Sequence, residues 1–429
     1  MLELARPEAG WWRTQQAPAV TGVTVDRQPK GTVAYRATMA FLFILVIAPQ
    51  QFITPLQPLR IAFITAALAI GAFLLQRIIH REPLIEAGPE VRVVGLIIAW
   101  GIVTVPFSIW PGGSVQFLVS MYLKSVALFL LLAHVVDTRD RMVKTAWALT
   151  LMAVPLALIG VKNFLTGAGG AERITGYEGG LTANPNDLAL MLNLLLPLAI
   201  AVFLGARKRS TQFLLAGVIV LMVTGVVVTF SRSGFLTLAL IGVVYGWMMM
   251  RRRQNGLVFA AAIALLVSLP LVPTSYVERL ATITSIEADE TGSSRERWSD
   301  SLAAVEFIGS NPVAGGGLGQ SALAMNQMRG DRWLRVHNVY LEAAVELGLP
   351  GLILIVLLIY RCAGAARLAR AREAANNDDP RFYYVAEGIW VSLIAFAFAG
   401  LFYPAAYHFY FYLLAGLALA ARSITREGA

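Results

Sequence analysis

Six residues of this chain have the types and company needed for chemistry between a phosphate ester and a hydroxyl: Asn184, Asn186, Arg232, Arg295, Arg297 and His337. Arginine offers a permanent charge and a fork of donors that fits phosphate oxygens. A neutral imidazole can take a proton from a hydroxyl near ambient pH without a strongly shifted pKa. Together they suit a reaction in which a diphosphate leaves and arginines neutralise the developing charge. Each also has a plainer reading. Asn184-Pro185-Asn186-Asp187 closes a Gly-rich segment (166–186) at the mouth of an apolar run, where Asn caps a helix. Arg232, within Thr229-Phe230-Ser231-Arg232-Ser233-Gly234, can snorkel to headgroup phosphates. Arg295 and Arg297 can be solvated partners of Glu296 and Asp300. A lone histidine is more often structural than catalytic.

The elements that must position these residues are membrane spans. With 429 residues, 57% hydrophobic, 14% charged and a mean hydropathy of +0.65, the composition is that of a multi-spanning membrane protein and excludes an ordinary soluble domain. A crossing helix needs roughly 20 apolar residues, because lipid offers the backbone no hydrogen-bond partner. About twelve stretches qualify: 38–54, 59–79, 91–110, 114–136, 142–165, 187–206, 211–229, 233–250, 256–273, 338–361, 383–404 and 406–421. The expectation is an all-α polytopic protein with a cytoplasmic segment (1–37), spans over 38–273, a long outer loop (274–336), further spans over 337–421 and a cytoplasmic tail (422–429).

Lys and Arg set the orientation, since short cytoplasmic flanks hold the excess. With the N-terminus inside, the inner segments carry 24 of the 35 basic residues, in groups such as Arg207/Lys208/Arg209 and Arg251/Arg252/Arg253. Short outer connections keep only Arg60, Lys162, Arg173 and Arg232. The candidate chemistry therefore faces away from the cytoplasm. The net charge of +9 reads as an orientation signal and an attraction to anionic lipid, and nucleic acid is not an expected partner.

Within the outer loop, Arg295 to Ser310 predicts an amphipathic helix with Trp298, Leu302, Val305 and Phe307 on neighbouring turns, lying on the membrane or roofing a cavity. Gly315-Gly316-Gly317-Leu318-Gly319 follows, either a plain loop or a backbone cradle for phosphate. His337-Asn338 opens a helix that must include Glu342 and Glu346, four apart, and break or kink at Pro350. Acids in a membrane helix face a protein-lined cavity unless they stand above the lipid. Of four histidines, His80 and His134 fall on the inner side and His337 and His408 on the outer. No His/Cys cluster has ligand spacing, so neither metal nor another cofactor is expected, and the single Cys362 excludes an intrachain disulfide. Activated nucleotides are scarce outside the cytoplasm, which points to a lipid-linked diphosphate as donor.

The ordered set resembles the O-antigen ligase and O-antigen polymerase superfamily: Asn-Pro-Asn before a span, Phe-Ser-Arg-Ser-Gly after another, Arg-x-x-Trp in a long loop, a Gly-rich turn after Asn-Pro, and His-Asn-x-Tyr-Leu-Glu closing the loop. The likeness runs from about residue 180 to 362. It implies a C-type glycosyltransferase in a Gram-negative inner membrane, moving a glycan from undecaprenyl diphosphate to lipid A-core without metal or ATP. On that resemblance His337 is the base for the acceptor hydroxyl, and Arg232 with Arg295 or Arg297 binds the donor diphosphate, with Asn184, Asn186, Asn338, Glu342 and Glu346 in support. Direct attack at the anomeric carbon implies inversion. Three rivals stand beside this reading: a polymerase whose acceptor is another lipid-linked repeat, a protein-glycosylating ligase, and a lipid-linked sugar transporter. The last lacks support from internal repeats, and Lys124 is the one clear mid-span charge.

Overall fold

The structure, a computed structural model, describes residues 31–51, 53–166, 184–253, 293–330, 335–376 and 379–426. The N-terminal segment 1–30, the expected span 256–273 and the first part of the long loop lie outside the described residues. Within them the chain folds as helices: α1 (Thr32–Ile47), α2 (Ile61–Ile79), α3 (Pro89–Val103), α4 (Pro111–Val135), α5 (Arg139–Thr166), α6 (Pro185–Gly205), α7 (Arg209–Val227), α8 (Arg232–Arg251), α9 (Ser293–Ser310), α10 (Ser321–Arg329), α11 (Val339–Asn376), α12 (Pro380–Ala399) and α13 (Phe409–Arg426). Eight of these, α2, α4, α5, α6, α7, α8, α11 and α12, are long and apolar enough to cross a membrane. The shorter or less apolar α1, α3 and α13 fall at three more of the expected spans.

At the centre, α6 and α12 run antiparallel. Ser392 donates to the Leu194 carbonyl at 2.8 Å, Gly388 lies against Pro197, and Gly205 abuts Arg381. This register puts the start of α6 level with Gly400, just past the end of α12. The opposite end gathers the basic residues into ion pairs: Arg252 and Arg370 on buried Glu387, Arg139 on buried Glu373 at 3.2 Å, and Arg422 on buried Glu90. A charge buried this way keeps its partner because losing it would strand the other ion, at about 3–5 kcal/mol.

α11 is broken where it enters the bundle. Gly348 takes φ 67°, the left-handed region open to glycine, and a Cβ there would collide with the Val313 carbonyl. The Leu349 N–H leaves the helix and donates to Pro312 at 2.8 Å. The carbonyls orphaned at the end of the first segment find outside donors: Gly316 N–H on Val345 (2.7 Å), Gly317 N–H on Glu346 (2.9 Å) and Trp100 Nε1–H on Leu347 (2.9 Å). Pro350 then sits in the first turn of the resumed helix, where a missing N–H is harmless. The break expected at the proline is thus made two residues earlier by the glycine.

Candidate active site

One end of the bundle carries the sequence-predicted residues. Asn184 caps α6 by accepting the Asn186 N–H at 2.9 Å. Asn186 in turn accepts the Ser231 hydroxyl at 2.7 Å, and Ser231 caps α8 through the Gly234 N–H at 3.2 Å. Arg232 is the first residue of α8 and is held at this junction. Just before it Phe230 takes φ 52°, so the turn into α8 is strained at a bulky residue, a feature that concentrates at functional sites. At the same end Asn338 caps α11, accepting Tyr340 N–H (2.8 Å) and Leu341 N–H (3.1 Å), while its amide donates to Leu401 (3.1 Å). The Val339 N–H meets the Gly400 carbonyl at 2.7 Å.

His337 stands immediately before this cap, half-buried, and its Nδ1 is buried without a partner among the described residues. Burial pushes the imidazole below its usual range, and the Arg297 and Arg329 guanidinium charges push it further the same way, against the Arg335 carbonyl. Both effects favour the neutral ring, the form a general base needs. His408, in the α12–α13 loop, is half-buried like His337, stacks on Tyr410 at 5.6 Å, and is driven to about 4 by burial and then by Arg335. A ring held that low is the weaker base for a substrate hydroxyl.

The two acids on α11 hold backbone. Glu346 accepts Gly319 N–H at 2.7 Å and Ser321 N–H at 3.2 Å, and Glu342 accepts Ala406 N–H at 3.0 Å. Both are buried, so the exposed reading does not apply. The glycine run consequently spends its amides on Val345, Glu346 and the Glu346 side chain, and the phosphate-cradle reading gives way to a structural one.

Arg297 is on α9, whose buried Asp300 pairs with Arg329 of α10, a partner the spacing in sequence did not suggest. Arg295 lies at the start of α9, and its side chain is outside the described residues. Arg297 and Arg329 thus stand near enough to His337 for their charges to act on it, and Arg232 lies at the same end of the bundle through the Asn186–Ser231 link. Arg329 and Arg335 were missed by sequence reasoning; the signal was arginines accumulating just upstream of His337, in a loop that charge bias does not govern. Among the described residues no three His, Cys, Asp or Glu side chains gather as a metal ion's ligands would.

Residues 217–356 match the model of a family described as O-antigen ligase, a span that includes Arg232, Arg297 and His337. Among solved structures, a chain reported under "Structural coordination of polymerization and crosslinking by a peptidoglycan synthase complex" is 20% identical with a TM-score of 0.45, covering 79% of this chain and 97% of that one. No curated protein matches the chain.

Proposed function

We propose that this chain, whose residues 217–356 match a family described as O-antigen ligase, moves a finished glycan from undecaprenyl diphosphate to a sugar hydroxyl of lipid A-core at the periplasmic face of a Gram-negative inner membrane. The observation that carries this reading is the company of His337: a half-buried imidazole within reach of the Arg297 and Arg329 charges, at the bundle end that also holds Arg232.

In this reaction His337 takes the proton of the acceptor hydroxyl. The freed oxygen attacks the anomeric carbon as the bond to the diphosphate oxygen breaks, and its electron pair leaves with the diphosphate. Arg297 and Arg232, with Arg295 as the alternative partner on α9, neutralise that charge. The proton on the imidazole passes to the departing diphosphate or to water. One direct displacement inverts the anomeric configuration. Neither metal nor ATP takes part, and both chain termini lie in the cytoplasm.

Purified protein supplied with lipid-linked glycan and lipid A-core should form product without an energy source, and a retained anomeric configuration would contradict the mechanism. A deletion strain separates the acceptors: loss of a ligase leaves bare core and full-length lipid-linked chains, whereas loss of a polymerase leaves core bearing one repeat.

A further inference from the structure

α9 presents two faces with the same helical spacing. Asp300, Ala304 and Phe307 turn inward, the last two packing with Ala324, Met325, Val336 and Val345. Trp298, Leu302 and Val305 form the other stripe, and they are 63%, 55% and 58% exposed. An outward helix face in water carries polar residues instead. Here exposed polar residues, Ser299 and Glu306 among them, lie on one flank of the apolar stripe.

The stripe continues past the end of the helix. Exposed Val313 follows, and the neighbouring Pro312 carbonyl holds the Leu349 N–H. Leu349 begins a second exposed series, Leu349, Ile353, Val356 and Tyr360, along the part of α11 long and apolar enough to cross a membrane. That spacing is one helix face, and on a spanning helix an exposed apolar face meets lipid. The loop after α3 adds exposed Phe107 and Trp110, pinned to the glycine run by Ile109 N–H on the Gly316 carbonyl at 2.9 Å. Aromatic side chains of this kind collect at the membrane–water boundary.

We infer that the outer face of α9 lies in the membrane interface, with Trp298, Leu302 and Val305 among headgroups and upper acyl chains. The occupant of this face is lipid, because it is continuous with the lipid-facing side of α11. Arg297 is on the same helix, so it is held at headgroup depth. The placement stands apart from the transferase reading. Only its consequence, that the diphosphate of a membrane-anchored donor meets Arg297 without leaving the interface, rests on it.

The single native cysteine, Cys362, is buried, so spin labels can be introduced singly into the full-length chain. Leu302→Cys and Val305→Cys, with Ser299→Cys and Glu306→Cys on the polar flank, are labelled in vesicles of phosphatidylethanolamine and phosphatidylglycerol. Labels at 302 and 305 should collide more with oxygen than with a water-soluble nickel chelate, and the order should reverse at 299 and 306. Equal nickel access at all four overturns the inference, as do immobile labels shielded from both reagents, which would mean that protein covers the face. As a measurement free of labels, the emission lost in Trp298→Phe should be the fraction quenched by brominated lipid. If that fraction resists quenching, the inference fails.

Discussion

Ser231 donates its hydroxyl to Asn186 Oδ1 at 2.7 Å, so two motifs 45 residues apart meet at the mouth of α6 and α8. The bond divides labour within Asn-Pro-Asn. Asn184 is the helix cap, while Asn186 ties α6 to the turn that carries Arg232. Ser231→Ala removes both the cap of α8 and this tie, and is expected to lower stability by about 1–2 kcal/mol. Thermal unfolding in detergent checks it, and Asn186→Ala should lose less, because the cap of α8 survives.

From a buried position Glu346 binds the backbone N–H of Gly319, at the end of the glycine run, and that of Ser321, which opens α10. A carboxamide there can accept one of them and must turn its own donors toward the other. Glu346→Gln is therefore expected to cost about 1–3 kcal/mol, the penalty of an unsatisfied buried polar group. An unchanged melting temperature would show that the run does not depend on this carboxylate.

Gly348 and Gly309 make a matched pair. Alanine at Gly348 meets the Val313 carbonyl and a positive φ together, with an expected loss of about 3 kcal/mol or more. Gly309 is in α9 with open space where a Cβ would stand, so Gly309→Ala should be neutral or stabilising by up to about 1 kcal/mol. Equal effects at the two positions would contradict the broken-helix account.

These positions also show what was legible in the chain. Hydropathy located α2, α5, α6, α7 and α8 closely, because crossing lipid demands long apolar runs whatever the neighbours. It placed the break of α11 at Pro350, since proline lacks the N–H, yet the chain turns at Gly348, where positive φ is free. The stripe Trp298, Leu302 and Val305 was the natural choice of an apolar face. Phe307, expected with that stripe, instead turns inward with Ala304, because the shape of α10 and α11 decides which stripe is covered. Hydropathy along one helix contains nothing of that. The roles of Glu346 and Arg329 likewise depend on partners far away in sequence.

His337 is pushed down by burial, then by Arg297 and Arg329. A base works only unprotonated, so activity should be complete above its folded pKa and fall as pH drops through it, with the acidic limb of kcat/KM below about 6.5. Arg329→Gln removes a positive charge that disfavours the imidazolium, and the limb should move to higher pH. The same change strands buried Asp300, with an expected stability loss of about 3–5 kcal/mol, so the profile is recorded well below the melting temperature. A limb that stays in place or moves to lower pH would contradict the assigned electrostatics.

The most direct measurement is glycan transfer by purified His337→Ala in vesicles containing the undecaprenyl diphosphate-linked donor and lipid A-core. Donor binding should persist through the arginines while the transfer rate falls by about two to four orders of magnitude, the contribution of a positioned general base. A variant that binds donor and transfers glycan at the native rate would contradict the account.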